Sequence, residues 1–272
     1  METIIERRSR ARGNLRAFMK RRELITHLAW SDLSVRYKQT WLGLGWAVVQ
    51  PLMSIVIFTL VFDRLARLPS VGEAPYPLAV FAGLLPWNFF AQSLMSIAIS
   101  ITSEQSLITG VYFPRLVLPL KAMAVAVHNA VISFVVLLIG LVIYGYFPDW
   151  RVLAFPLFVL FAGLTALAFG LWIAVLNVRY RDFHYLVPYL LQIGMYISPV
   201  GFSADIVPSN WRFLYSLNPL VNVIDGSRWA LFNGAATVHV VPMLLSFGGV
   251  LLLLMGGIWF FRRAENGLAD YV

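Results

Sequence analysis

Residues equipped for catalysis are sparse in this chain, and their spacing matches no reaction centre. The four histidines, His27, His128, His184 and His239, are too scattered for any metal-ligand spacing. No Ser-centred elbow or His-Glu metal helix occurs. The three lysines, Lys20, Lys38 and Lys121, none of which follows a glycine, exclude a phosphate-binding Gly-x-x-x-x-Gly-Lys-Ser/Thr loop. The chain therefore has no P-loop with which to bind ATP. What remains is a set of neutral amides inside apolar stretches: Gln50, Asn88, Gln92, Asn129 and Gln192. Around them stand aromatic rings, including Trp46, Phe58, Trp87, Tyr189 and Tyr196. Amides exchange hydrogen bonds with hydroxyls and rings stack on apolar faces, a combination suited to sugars, although helix packing and lipid contact explain any single residue equally well. His128, next to Asn129, is an ionisable group in an apolar run and so a functional candidate, with a neutral, hydrogen-bonded histidine as the simpler reading.

The elements that must position these groups follow from composition. Of 272 residues, 60% are hydrophobic and 12% charged, about half the charged share of an ordinary soluble domain. A net charge of +8 would otherwise suggest nucleic acid, but no nucleic-acid partner is expected of so apolar a chain. Cysteine is absent, which excludes disulfides and thiolate-bound metals. Six apolar segments, roughly 46–62, 78–99, 123–146, 153–176, 185–202 and 240–261, contain no Asp, Glu, Lys or Arg. Each approaches or exceeds the ~17–25 residues that a helix needs to cross a bilayer. The expected fold is thus all-α: a single six-span membrane domain, with a cytoplasmic region at 1–45 and a tail at 262–272. No secretory signal is expected at the start, where bases dominate and no small-residue cleavage site follows a short apolar run.

Orientation follows from the bases. With a cytoplasmic N-terminus, 16 of the 21 Lys and Arg residues fall on the inner side, as cytoplasmic loops require, so both termini are expected in the cytoplasm. The similar stretches around Arg36/Lys38 and Arg179/Arg181 precede the first and fifth spans; they read as boundary signals and not as halves of a duplication.

Three connecting pieces carry further expectations. Residues 14–30 place Leu15, Phe18, Met19, Ile25, Ala29 and Trp30 on one arc, which predicts an amphipathic helix lying on the membrane surface. In the loop 100–122, Ser103 is placed to cap a short helix opening at Glu104. Segment 203–238 is rich in aromatics and cut by Pro208, Pro219, Gly226 and Gly234, which predicts short re-entrant or interfacial helices. The spans lack the Asp/Glu chains of proton-driven pumps, so energy for uphill transport would come from another chain.

Several longer stretches together resemble one family. "SDLSVRYKQTWLGLGWAVVQPL", "LITGVYFPRLVLPL", "LNVRYRDFHYLVPYLLQIGMYISPVGF", "NPLVNVIDGSRWALF" and "FRRAENGLADYV" are similar to the membrane permease subunit of bacterial polysaccharide-export ABC transporters. That resemblance implies a homodimer in the inner membrane, exporting a lipid-linked polysaccharide such as O-antigen, capsule or teichoic acid. It also implies two copies of a separate cytoplasmic ATPase, which binds the ATP and Mg, leaving this chain with no cofactor and no catalytic residue of its own. By resemblance, Ser103, Glu104 and Gln105 belong to a coupling helix at 103–110, with Arg179, Arg181 and Asp182 at a second ATPase contact. Trp211, Asn218, Pro219, Asp225, Arg228 and Trp229 fall in an outer gate region. Trp46, Gln50, Phe58, Gln192 and Tyr196 are the candidate channel-lining residues. A drug or lipid exporter of the same class, a membrane-embedded glycosyltransferase and a simple channel are the competing readings.

Overall fold

The computed structural model describes residues 45–67, 72, 74–104 and 115–265. The expected surface helix at 14–30, Arg36, Lys38, Gln105 and the tail beyond 265 lie outside the described residues. Within them the regular structure is entirely helical. Helix α1, Trp46–Phe58, runs on as a π-helical segment, Thr59–Leu65. It is followed by α2, Tyr76–Ile99, α3, Val117–Ile143, and α4, Phe155–Arg179, the last entered through a 3₁₀ turn at Trp150–Ala154. Then come α5, Phe183–Ile197, the short α6, Ser209–Tyr215, and α7, Pro219–Leu231, and finally α8, Val240–Ala264.

Five of these units are long and apolar enough to cross a membrane: Trp46–Leu65, Tyr76–Ile99, Val117–Ile143, Trp150–Arg179 and Val240–Ala264. They match five of the six expected segments. The fifth expected segment, 185–202, is helical only to Ile197, and the 15 residues of α5 reach only about 22 Å. Its early end has a local cause. Ser198 precedes Pro199, whose ring disfavours the helical region for the preceding residue, and Ser198 is extended at φ −79° and ψ 149°. The third segment, expected at 123–146, begins six residues sooner, which brings Lys121 out of the expected loop and into α3.

Helix α2 is the axis of the bundle, with α3 and α4 packed along it and α8 against α4. It buries Leu84, Trp87, Phe89 and Phe90 in a core shared with Phe158 and Phe161 of α4 and Val223 and Ile224 of α7. Since lipid is as apolar as leucine, helices in a membrane associate through close packing and hydrogen bonds. Gly170 of α4 illustrates the first: a Cβ there would sit 2.5 Å from Ile97 of α2. Asn177 illustrates the second, donating from Nδ2 to the Ala98 carbonyl at 3.0 Å where α2 and α4 end together. Gly226, expected to break segment 203–238, instead lies inside α7, where its missing side chain admits the ring of Phe158. The outer faces of α1, α3, α5 and α8 carry exposed apolar side chains, including Met53, Ile139, Leu190 and Leu252.

Candidate functional site: a buried arginine clamp, a charged base and an amide groove

The helices give the bundle two polar ends and a polar groove between them. At the first end, the start of α2, the residues after α5 and the short helix α7 meet around Arg228. Asn218 caps α7, accepting from the Leu220 N–H at 3.0 Å, and Pro219 occupies the first turn, where its missing N–H costs nothing. The helix so started is buried along most of its length, and Asn222 ties it to α8 by donating to Ser246 Oγ at 3.0 Å.

Arg228 itself is 1% exposed. Its Nε donates to the Ala79 carbonyl of α2 at 3.1 Å. One terminal nitrogen donates to the Phe202 carbonyl at 2.8 Å, the other to the Val200 carbonyl at 2.7 Å. Tyr76 completes the clamp, its hydroxyl donating to the Gly201 carbonyl at 2.5 Å. The carbonyls released where α5 breaks are thereby given donors, which irregular backbone at membrane depth requires. Asp225, one turn back on α7, stands 4.0 Å from Arg228 and is the looser partner. Burial pushes the Asp225 carboxyl up to about 7, with Arg228 pulling it back and Asp205 adding a little. Burial likewise lowers Arg228, opposed by Asp225, Tyr76 and Tyr215, and raises the Tyr215 phenol, with Asp225 adding to it. Of the remaining residues expected in this region, Trp229 is half-buried beneath the Arg151 guanidinium, 5.4 Å from its ring centre, while Trp211 on α6 is 62% exposed and stands apart.

At the opposite end, Ser103 and Glu104 lie in a 3₁₀ turn, Thr102–Glu104. Glu104 is not a freely solvated loop charge. Lys121 Nζ donates to its carboxylate at 2.7 Å, and the lysine side chain is 6% exposed. Nearby, Arg115 holds Glu265, its backbone N–H donating to Oε1 at 2.8 Å and its guanidinium to the Glu265 carbonyl at 2.6 Å. Arg179, Arg181 and Asp182 are exposed at the α4–α5 turn, Arg179 lying over the Tyr180 ring. Sequence reasoning missed Lys121 as a partner; its one signal was a lone base at the edge of an apolar run.

Between the ends, α1, α2 and α3 enclose a half-open groove of about 520 Å³. It gathers four of the five amides noted in the sequence: Gln50, Asn88, Gln92 and Asn129. Trp46 stands at the same groove, 50% exposed. Asn129 Nδ2 donates to Gln92 Oε1 at 2.9 Å. Ser96 and Ser133, which sequence reasoning passed over, complete the polar lining. Three of the expected channel residues are not brought here. Gln192 and Tyr196 are exposed on α5, and Phe58 packs against Phe62 at 5.4 Å beside Gly201.

A helical bundle with five membrane-length apolar helices, polar ends and a polar groove defines a multi-pass membrane protein. Comparison with known proteins identifies the family. The family described as "ABC-2 type transporter" matches residues 23–232, and the chain belongs to it. It is 30% identical to the O-antigen export system permease protein RfbA of Myxococcus xanthus, over 92% of this chain and 96% of that protein. A Klebsiella pneumoniae protein of the same name is 28% identical, over 86% and 89% of the two chains. The polysialic acid transport protein KpsM of Escherichia coli is 21% identical, over 88% and 93%.

Two outcomes are expected from the charged contacts. Replacing Glu104 by Arg sets a second cation against the buried Lys121 and removes about 3 kcal/mol of stability. The single variant should lose membrane abundance, and the exchange Glu104→Lys with Lys121→Glu should restore much of it; no recovery would show that the pair does not anchor this turn. For Asp225, the folded pKa of about 7 lies above the ordinary 3.8, so the stability contributed by its neutral form is complete below that lower value and is lost as pH rises through 7. The thermal midpoint of the purified protein should decline from about pH 4 to about pH 7 and level off above. Asp225→Asn should flatten that part of the profile.

Proposed function

We propose that this chain is the membrane subunit of an exporter of lipid-linked polysaccharide, with O-antigen the favoured cargo. The observation that carries this reading is the extent of the match: the relatives named for O-antigen export align along 96% and 89% of their own length. Two copies would form the passage in the inner, cytoplasmic membrane of a bacterium. Two copies of a separate ATPase, carrying the ATP and Mg, would dock below. The chain acts as one transmembrane domain with both termini in the cytoplasm, the sixth crossing made by α5 and the turn residues 198–202 that follow it.

The geometry suggests how force would be distributed. The exposed Arg179, Arg181 and Asp182 are free to meet the ATPase, and Ser103 and Glu104 lie where a push would reach α3 through Lys121, with Gln105 next in the chain assigned to the same contact by resemblance. At the other end, α6 and α7 form the gate, with Arg228 joining α7 to α2 and to the end of α5. A displacement of α2 or α5 would therefore act directly on the gate helix.

The reading is tested in a strain that makes the polymer, by deleting the chain and restoring it together with its ATPase. Deletion should trap full-length lipid-linked polymer inside the cell, and restoration should return it to the surface, with the ATPase co-purifying. Loss of the polymer itself would point to a glycosyltransferase instead, and unchanged surface polymer would refute polysaccharide export. Orientation is tested separately in this cysteine-free chain. A cysteine at Ser209 should react with an impermeant maleimide from outside, and one at Asp182 only after permeabilisation. The reverse pattern would overturn the assigned sidedness.

A further inference from the structure

The groove between α1, α2 and α3 has a chemistry more specific than a packing defect. Asn88, Gln92 and Ser96 follow one another at four-residue spacing on one face of α2, and Asn129 and Ser133 do the same on α3. Gln50 sits one turn beyond Trp46 on α1. Three separate helices thus aim neutral hydrogen-bonding groups into a single volume of about 520 Å³, within the range of small-ligand sites.

In a hydrocarbon medium, polar side chains on spanning helices are expected to find partners. Asn129 and Gln92 are bonded to each other. Among the described residues, the side chains of Gln50, Asn88 and Ser133 make no hydrogen bond within the chain. An amide offers both donors and an acceptor, and a hydroxyl both gives and accepts, so the groove is complementary to a ligand dense in hydroxyls. Among the described residues no charged side chain lines it, so an anionic or cationic group would meet no counter-charge from them. A hydrocarbon tail would leave the amides unpaired. At the mouth, the half-exposed indole of Trp46 offers a flat apolar face to the C–H side of a ring.

We propose that this groove is a subsite for an uncharged, hydroxyl-rich ring, one neutral sugar unit of the transported glycan, held within a single protomer. The proposal rests on reading the chain as a polysaccharide permease. Because every contact is a neutral hydrogen bond or a ring face, the unit is held weakly enough to move on, as conduction through a series of sites requires.

The test uses the full-length permease with its ATPase in cells that make the lipid-linked polymer. The photo-reactive residue p-benzoylphenylalanine is placed at Asn88, inside the groove, or at Val135, on the exposed face of α3. After irradiation, position 88 should yield a permease band that reacts with a glycan stain and position 135 should not. A cross-link from position 88 to a second permease copy or to phospholipid overturns the proposal, as does no adduct while wild type exports. A failure of the polysaccharide reading looks different, because then wild type itself exports no glycan. In parallel, Gln50→Leu combined with Asn88→Leu removes two polar groups from apolar helices, a change that the fold tolerates and that membrane abundance and thermal midpoint will monitor. Export should fall about tenfold or more from two lost hydrogen bonds. Normal export by a normally abundant double variant would overturn the proposal.

Discussion

A guanidinium that cannot reach water must be fully hydrogen-bonded, and that constraint organises one whole end of this protein. Arg228 is the largest of the fully buried side chains, and its ordinary counter-ion, Asp225, lies at the limit of an ion pair. Its three carbonyl partners carry most of the load. The dependence runs both ways. Where Pro199 stops α5, the Val200, Gly201 and Phe202 carbonyls lose their place in a helical ladder, and without donors they would be costly in an apolar setting. Arg228 and Tyr76 supply those donors. A broken helix and a buried charge, each unfavourable alone, are compatible because each satisfies the other.

Charge is placed at the opposite end by different means. There the ion pair Glu104–Lys121 and the contacts of Arg115 with Glu265 join loop turns to the ends of α3 and α8. Arg179, Arg181 and Asp182 remain exposed, where a charge costs little to hold and is available to a partner. Between these ends the spans rely on neutral groups, and their mutual attachment comes from small residues and single amide bonds such as Asn177 to Ala98. The result is a bundle whose ends are fixed by charge and whose middle is fixed by fit.

Much of this was legible in one dimension. Long runs without charge identify spanning helices because the hydrocarbon core permits little else, and five of the six appear as read. The break at Ser198–Pro199 was also available from the local proline rule, although the apolar run continues to Phe202 and concealed it. Gly226 was misread for a physical reason: a glycine can end a helix or let a neighbouring ring approach, and only the position of Phe158 decides which. Lys121 was assigned to a loop because a charge conventionally bounds a span, whereas Glu104, seventeen residues away, pays for its burial. The amides were visible individually, and the i, i+4 spacing of Asn88 and Gln92 was already a common face. Their convergence with Gln50 and Asn129 depends on how three helices pack, which no local pattern encodes.

The walls of the groove differ in how firmly they are held, and this bears on how such a site would work. Its inner wall, α2, is the most buried of the five membrane-length helices, and it is fixed at one end by Arg228 and at the other by Asn177. Its outer wall, α1, is the least buried of the five, with Pro51 its one fully buried residue. Helix α5, which contributes Leu191 at the margin, buries only Val187 fully. The free energy of local displacement scales with the contacts that must be given up, so opening the groove by displacing α1 gives up less packing within the chain than moving α2. Gln50 and Trp46 ride on the loosely held wall; Asn88 and Gln92 are on the fixed one. Widening the groove therefore separates one set of hydrogen-bonding groups from the other without disturbing the core. Capture and release of a ligand can then follow from the position of α1 alone, with the clamp around Arg228 left intact.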